Sequence, residues 1–408
     1  MPPSLRPGHS VQLLVTGQAF FPALTAALDS ARHEVYLETY IFHDDASGEQ
    51  VLAALERAGL RGVAVYLVVD GIGTPQWPQR WRERLRHSGV QWQQFSPLGS
   101  LGLLIPGRWR RLHRKLCVVD RELAFCGGIN VLDDFFELNH GLQTTPRFDF
   151  AVQVRGPLVA DIHRAMDQFW QRLLATRQLE RGEFRGARRA LEHLAVLARA
   201  SAEVEPGVAG TLVNPPSGMR AALLLRDNLR NRTGIERAYR HAIAHAKHEV
   251  LISNAYFLPG AKLRRALVHA VQRGVRVRLL LQGRYEFFMQ FHAAKPFYGA
   301  LLAAGVEIHE YQAGFLHAKV AVIDGRWATV GSSNLDPLSL LLAREANVVV
   351  DDADFAATLL APLNAAIAQH SQQLDKARFE HRPLWQRLQG RLAYSLMRLT
   401  LFLTGRDY

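Results

Sequence analysis

Cysteine is almost missing from this chain: 408 residues hold two, Cys117 and Cys126. Two cysteines make no disulfide framework, and no close-spaced partners complete a four-ligand metal site around them. Both fall in apolar runs, where a small, reduced, buried residue is expected. Nor is there a run of about 18 uninterrupted apolar residues, the length that a membrane-spanning helix needs. The opening residues, MPPSLRPGHSVQLLVTG, lack the long apolar core of a secretion signal. A membrane is therefore expected to be met from one side only. Acidic residues are in deficit, 37 against 49 lysines and arginines, for a net charge of +12. That excess favours phosphate-bearing partners: nucleic acid, anionic lipid or a phosphorylated substrate. With 48% hydrophobic and 21% charged residues, disorder is excluded and a sizeable core is implied.

What the chain does have is a duplication. HEVYLETYIF (His33 to Phe42) returns as HEVLISNAYF (His248 to Phe257), and RGVAVYLVVDG (Arg61 to Gly71) returns as RGVRVRLLLQG (Arg273 to Gly283). The order and spacing are kept, so a whole domain is repeated. Each copy reads as strand, helix, strand: Val35–Phe42, Glu49–Ala58 and Val63–Val69, then Val250–Phe257, Ala261–Gln272 and Val275–Leu281. Such units predict an α/β fold with mixed sheets covered by helices. The expected division is 1–175, a connector over 176–211 that is rich in Arg and Glu, 212–383, and a C-terminal helix over 384–408.

A second repeat carries the chemistry. RLHRKLCVVDRELAFCGGIN (Arg111 to Asn130) is answered by FLHAKVAVIDGRWATVGSSN (Phe315 to Asn334). Strand side chains alternate, so His113 and Lys115 share a face, as do His317 and Lys319. Asp120 and Asp324 stand at an odd offset and cannot join them. Asp324 precedes Gly325 between two apolar runs, which predicts a hairpin turn and a structural or orienting carboxylate. Beyond the turn, Gly128 and Asn130, or Ser332 and Asn334, lie two apart on one face. Two such halves packed about a pseudo-two-fold axis would gather two imidazoles, two ammonium groups and several neutral donors. That set suits a phosphodiester. Lysines offset its charge, Asn130, Ser332 and Asn334 donate to its oxygens, one imidazole attacks phosphorus, and the other serves the leaving and entering hydroxyls. A covalent phosphohistidine follows. No metal is expected, because clustered carboxylates are missing and a lysine beside each histidine would repel a cation.

The pattern His-x-Lys-x4-Asp-x6-Gly-(Gly/Ser)-x-Asn, present twice, resembles the HKD signature of the phospholipase D superfamily. Its setting in LETYIF, NAYFLPG, ATVGSSNLDPLS and REANVVV is similar to bacterial cardiolipin synthases. The length, with no spans, resembles their B-type. The resemblance implies two homologous α/β/α domains, no cofactor, and a reaction that joins two phosphatidylglycerols with release of glycerol at the cytoplasmic face of the inner membrane. It places His113, Lys115, Asp120, His317, Lys319 and Asp324 in the catalytic set, with His113 as nucleophile. It also implies that an acidic residue some thirty positions after each motif orients an imidazole, which Asp149 and Glu345 fit. Arg121 departs from the pattern, where the family often has Gly. The same residues leave open a phospholipase D, or a phosphodiesterase acting on nucleic acid.

Two segments favour lipid over nucleic acid. Trp385, Leu388, Leu392, Leu396, Leu399 and Leu403 form one helical stripe, with Arg387, Arg391 and Arg398 on another side. That composition suits an interfacial helix on anionic lipid, or a helix docked on the protein's own core. Leu101, Leu103, Leu104 and Ile105, just before the first motif, could likewise enter a bilayer or the core.

Overall fold

The computed structural model describes residues 4–74, 76–97, 109–203, 218–227, 231–284, 288–336 and 343–380, and Trp385, Gln389, Leu392 and Ser395. The first half runs β1 (Arg6–Val15), α1 (Thr16–Ser30), β2 (Glu34–Thr39), α2 (Ala46–Leu60), β3 (Ala64–Asp70), α3 (Gln79–His87), β4 (Gln91–Phe95), β5 (Arg111–Leu112), β6 (Lys115–Val119) and β7 (Leu123–Gly127). A small hairpin of β8 (Phe136–Glu137) and β9 (Gly141–Leu142) follows, then β10 (Phe150–Arg155) and α4 (Leu158–Glu180). Next comes α5 (Phe184–Glu203), so the expected connector over 176–211 is in large part helical and packs on α4. The second half repeats the first as β11 (Met219–Arg226), α6 (Gly234–His245), β12 (Glu249–Asn254), α7 (Ala261–Gln272), β13 (Arg276–Gln282), α8 (Phe288–Ala303), β14 (Glu307–Tyr311), β15 (Lys319–Ile323), β16 (Trp327–Gly331), β17 (Ala343–Asp351) and α9 (Ala353–His370). It closes with β18 (Ser371–Gln373) and α10 (Lys376–Glu380).

Both halves order their strands alike, β1-β10-β7-β6-β2-β3-β4 and β11-β17-β16-β15-β12-β13-β14. The crossovers that the sequence predicts, β2–α2–β3 and β12–α7–β13, join parallel neighbours, while the motif hairpins β6–β7 and β15–β16 are antiparallel. The fold class is thus α/β with mixed sheets, as expected. The junction was not foreseen. The edge strands β1 and β11 pair antiparallel, Arg6 with Ala221 and His9 with Met219, and merge the two sheets into one. Each edge satisfies the other's open hydrogen-bonding groups.

Three apolar cores follow. One packs α1, α2 and α3 (Leu24, Leu28, Leu52, Trp81) on the first half-sheet, and another packs α6 and α7 (Ile243, Leu263, Leu267) on the second. The third is shared: Met166 and Trp170 of α4 and Leu359 and Leu363 of α9 cover Val118, Val152, Val320 and Val348 together. Cys117 and Cys126 are buried and free, as expected. This shared core holds the two motifs against one another.

Candidate active site

Each motif begins just before a central strand, so His113 precedes β6 and His317 precedes β15. The segment entering each histidine pairs with the opposite half. Leu112 of β5 lies beside Arg344 of β17, and the His113 N–H donates to the Arg344 carbonyl at 3.0 Å. Symmetrically, Leu316 bridges to Phe148, and the His317 N–H donates to the Phe148 carbonyl at 2.9 Å. Each histidine is thereby set next to an acid of the other half. His113 Nδ1 is 3.1 Å from the Glu345 carboxylate, and His317 Nδ1 is 2.6 Å from Asp149 Oδ2. Where the carboxylate is ionised it only accepts, so the proton then sits on Nδ1 and Nε2 keeps its lone pair.

The lysines sit behind the imidazoles. Lys115 Nζ donates to the His113 carbonyl at 2.7 Å, and Lys319 Nζ donates to the His317 carbonyl. Both ammonium groups are buried. Burial pushes Lys115 down to about 7, with Lys319 adding to the fall. Burial also lowers both imidazoles. Glu345 counters this at His113, whereas Lys319, Lys115 and Arg147 push His317 well down. The acids differ as well. Burial holds Asp149 up at about 7, while at Glu345 the burial effect is outweighed by His113, Lys115 and Ser332, and that carboxyl falls below its ordinary value. Cations of one half act on histidines of the other, so the described arrangement is one electrostatic unit.

Other expected site residues are held by backbone and side-chain partners. Asp120 and Asp324, which the resemblance places in the catalytic set, lie at the turns of the motif hairpins and bind backbone. Asp324 accepts the N–H groups of Lys247, His248 and Glu249 at 2.8, 2.8 and 2.9 Å, and Asp120 does the same for Arg32, His33 and Glu34. Each carboxylate ties the motif hairpin to the start of the neighbouring strand, as the odd offset requires. Asp324 and Gly325 both take positive φ, 51° and 59°, the paired left-handed turn that Asp-Gly predicts. Arg121 takes the same conformation with φ 57°, and its guanidinium pairs with Glu34. Ser332 was expected on the phosphate. Its hydroxyl instead donates to Glu345 at 2.5 Å and accepts the Ala346 N–H at 3.1 Å, so it holds a carboxylate in place. The corresponding residue of the first half is Gly128, where a Cβ would lie 2.3 Å from Asp149 Oδ1. Asn130 accepts the Ile41 N–H through Oδ1 at 3.2 Å, and Asn334 is buried beside its motif strand.

Sequence reading missed Tyr40 and Asp70. The Tyr40 ring centre is 5.0 Å from that of His113 and 5.4 Å from Lys115 Nζ. Buried Asp70 accepts the Leu112 N–H at 2.7 Å and pins the strand that delivers His113. The repeat itself hides both, because Tyr40 aligns with Ala255 and Asp70 with Gln282. Among the described residues, no group of three or more His, Cys, Asp and Glu is placed to hold a metal ion. Leu101, Leu103, Leu104 and Ile105 lie outside the described residues, as do Leu388, Leu396, Leu399, Leu403, Arg387, Arg391 and Arg398. No described helix is long and apolar enough to cross a membrane.

The family model for the cardiolipin synthase, phospholipase D-like domain matches residues 24–144 and 239–366, one copy on each half. The chain belongs to this family. Cardiolipin synthase B of Escherichia coli is 36% identical over 395 residues, spanning 97% of this chain and 89% of that protein. Cardiolipin synthase A of Pseudomonas putida is 31% identical over 348 residues, spanning 85% of this chain and 66% of that one. Among solved structures, a phosphatidylserine synthase of Haemophilus influenzae superposes with a TM-score of 0.66 at 14% identity, covering 96% of this chain and 93% of its own. That likeness speaks for the fold. The protein is a phosphatidyltransferase of the phospholipase D superfamily with cardiolipin synthase character and a phospholipid substrate.

Proposed function

We propose that the enzyme transfers a phosphatidyl group between two phosphatidylglycerols through a covalent phosphohistidine, releasing glycerol. The observation that carries this reading is the crossed pairing, in which each half's carboxylate orients the other half's imidazole. A diester entering between the two lysines brings its negative charge to their ammonium groups. His113 Nε2 attacks phosphorus, and the P–O bond to glycerol breaks. His317, whose proton affinity recovers once an anion stands beside it, protonates the departing glycerol oxygen. It then takes the proton from the hydroxyl of the second lipid as that oxygen displaces His113. Glu345 and Asp149 keep both rings in the reacting tautomer. Asn130 and Asn334 donate to the non-bridging oxygens. Lys115 and Lys319 supply the positive charge, so no metal or other cofactor enters the cycle.

We place the enzyme on the cytoplasmic face of the inner membrane, bound from one side. Trp385 and Leu392 lie seven apart on the C-terminal helix, and each is 62% exposed, which favours an interfacial stripe over a docked one. The test is incubation of the purified protein with labelled phosphatidylglycerol vesicles in a chelating buffer. Cardiolipin and glycerol in equal amounts are expected. Phosphatidic acid as the main product would mean that water, not a lipid hydroxyl, reaches the phosphoenzyme. No turnover without an added metal would refute the metal-free cycle.

A further inference from the structure

Among the described residues the helical hairpin of α4 and α5 has no counterpart in the second half, where β18 follows α9 directly. Its direction is set by three contacts. The Leu158 N–H, at the start of α4, meets His9 Nδ1 at the far end of the sheet. Further on, the Ala165 carbonyl accepts from Arg114, the residue after His113. Phe169 then stacks under the guanidinium of Arg344, the residue before Glu345, at 4.8 Å. The helix therefore climbs toward the catalytic end and passes it. Eleven more residues carry it to Glu180, roughly 16 Å beyond, at 1.5 Å per residue.

The tip is built, not loose. Gly182 takes φ 74°, its N–H donates to the Leu179 carbonyl at 3.1 Å, and the Glu183 N–H donates to the Gln178 carbonyl at 2.8 Å. Gly186 lets α5 lie against Gln178, and Ala187 and Ala190 are buried toward α4. His193 Nε2 sits 2.9 Å from Asp167 and ties the two helices lower down. On this firm support, Leu179 is 48% exposed, Phe184 71% and Leu191 51%. Around them Arg177, Arg181, Arg185, Arg188 and Arg189 stand against three glutamates, Glu180, Glu183 and Glu192, the last paired with Arg188 at 2.7 Å.

We infer that this hairpin is a membrane finger. It seats the catalytic end on an anionic bilayer by inserting Leu179 and Phe184 and setting the arginines among lipid phosphates. Exposed apolar groups ringed by arginine suit the headgroup boundary, and the sign of the charge fits an anionic surface. The inference rests on the lipid-transferase reading for its relevance but is tested apart from it. A Phe184→Cys protein carries an environment-sensitive fluorophore there, since Cys117 and Cys126 are both 1% exposed and spared. On vesicles of phosphatidylcholine with phosphatidylglycerol, its emission should rise and be quenched by nitroxide-bearing lipid. A Leu179→Ser/Phe184→Ser protein should bind those vesicles about tenfold or more weaker, from the loss of two buried apolar side chains. It should keep its turnover on a short-chain, monomerically soluble phosphatidylglycerol. A silent label, or vesicle binding unchanged in the double variant, overturns the finger. So does a change in sedimenting mass with unchanged vesicle binding, which would make the surface a self-association face. A label that enters the bilayer while the wild type makes no cardiolipin upholds the finger and removes the transferase reading alone.

Discussion

Replacing Glu345 by glutamine should disable a histidine 232 positions away in the other half. Glutamine keeps the length of the side chain and an oxygen for the Ser332 hydroxyl. It removes the charge that supports the His113 imidazole against burial and Lys115. A hydrogen bond to a charged group is worth about 1.5–3 kcal/mol. If that support acts on the attacking imidazole in the transition state, turnover should fall roughly 10- to 150-fold, in the range found for groups that orient a functional histidine. His113 should also become harder to protonate, so the acid limb of kcat/KM that reports it moves to lower pH. The direct readout is nitrogen NMR of the histidine rings, assigned with His113→Ala and His317→Ala proteins. Glu345→Gln should shift the His113 nitrogens most, and Asp149→Asn those of His317. If Glu345→Gln instead moved His317 and left His113 in place, the crossed pairing would be wrong.

Asp324→Ala removes the acceptor of three backbone N–H groups on a partly exposed carboxylate and should cost about 2 kcal/mol of stability. Turnover well below the melting temperature should stay within a few-fold of wild type, and a hundredfold loss there would place Asp324 in the reacting set. Asp149, held up at about 7 by burial, keeps a proton in the folded state that the unfolded chain has lost. Its contribution to stability therefore falls as pH rises from about 4 to about 7 and is least favourable above that. Asp149→Asn, neutral in both states, should stabilise the protein at pH 8 relative to its effect at pH 4, and urea midpoints that move equally at both would contradict this. Deleting 384–408 should weaken binding to anionic vesicles with little change in melting. Unchanged binding with a sharply lower melting temperature would make that segment part of the core.

The histidines and lysines of the candidate site were legible because two signals agree: period-2 alternation sets them on one face, and the duplication repeats the set. The odd offset of Asp120 and Asp324 agrees with their place at the hairpin turns, which the Asp-Gly dipeptide marks at Asp324. What stayed hidden depends on contacts between distant segments. Nothing local says that Glu345 turns to His113 and Asp149 to His317; the short parallel bridges at Arg344 and Phe148 decide it. Ser332 looked like a phosphate donor because its only visible context was its own strand, and its partner lies on the next one. The β1–β11 seam was invisible for a similar reason, since an edge strand's pattern does not name the edge that it will join. Tyr40 and Asp70 escaped because the repeat does not carry them: each occurs in one copy alone.

The central claim is that one site, drawn from both halves, carries the lipid on a histidine. Rapid quenching of the enzyme with phosphatidylglycerol labelled in its phosphate and acyl chains tests it most directly. The wild type should trap a phosphatidyl group in an acid-labile, base-stable bond that maps to His113. His113→Ala should trap none, and His317→Ala should trap little because departure of glycerol lacks its acid. Label on His317 would exchange the two roles within the same site, and cardiolipin formed at the normal rate with no labelled histidine in any of the three proteins would contradict the account.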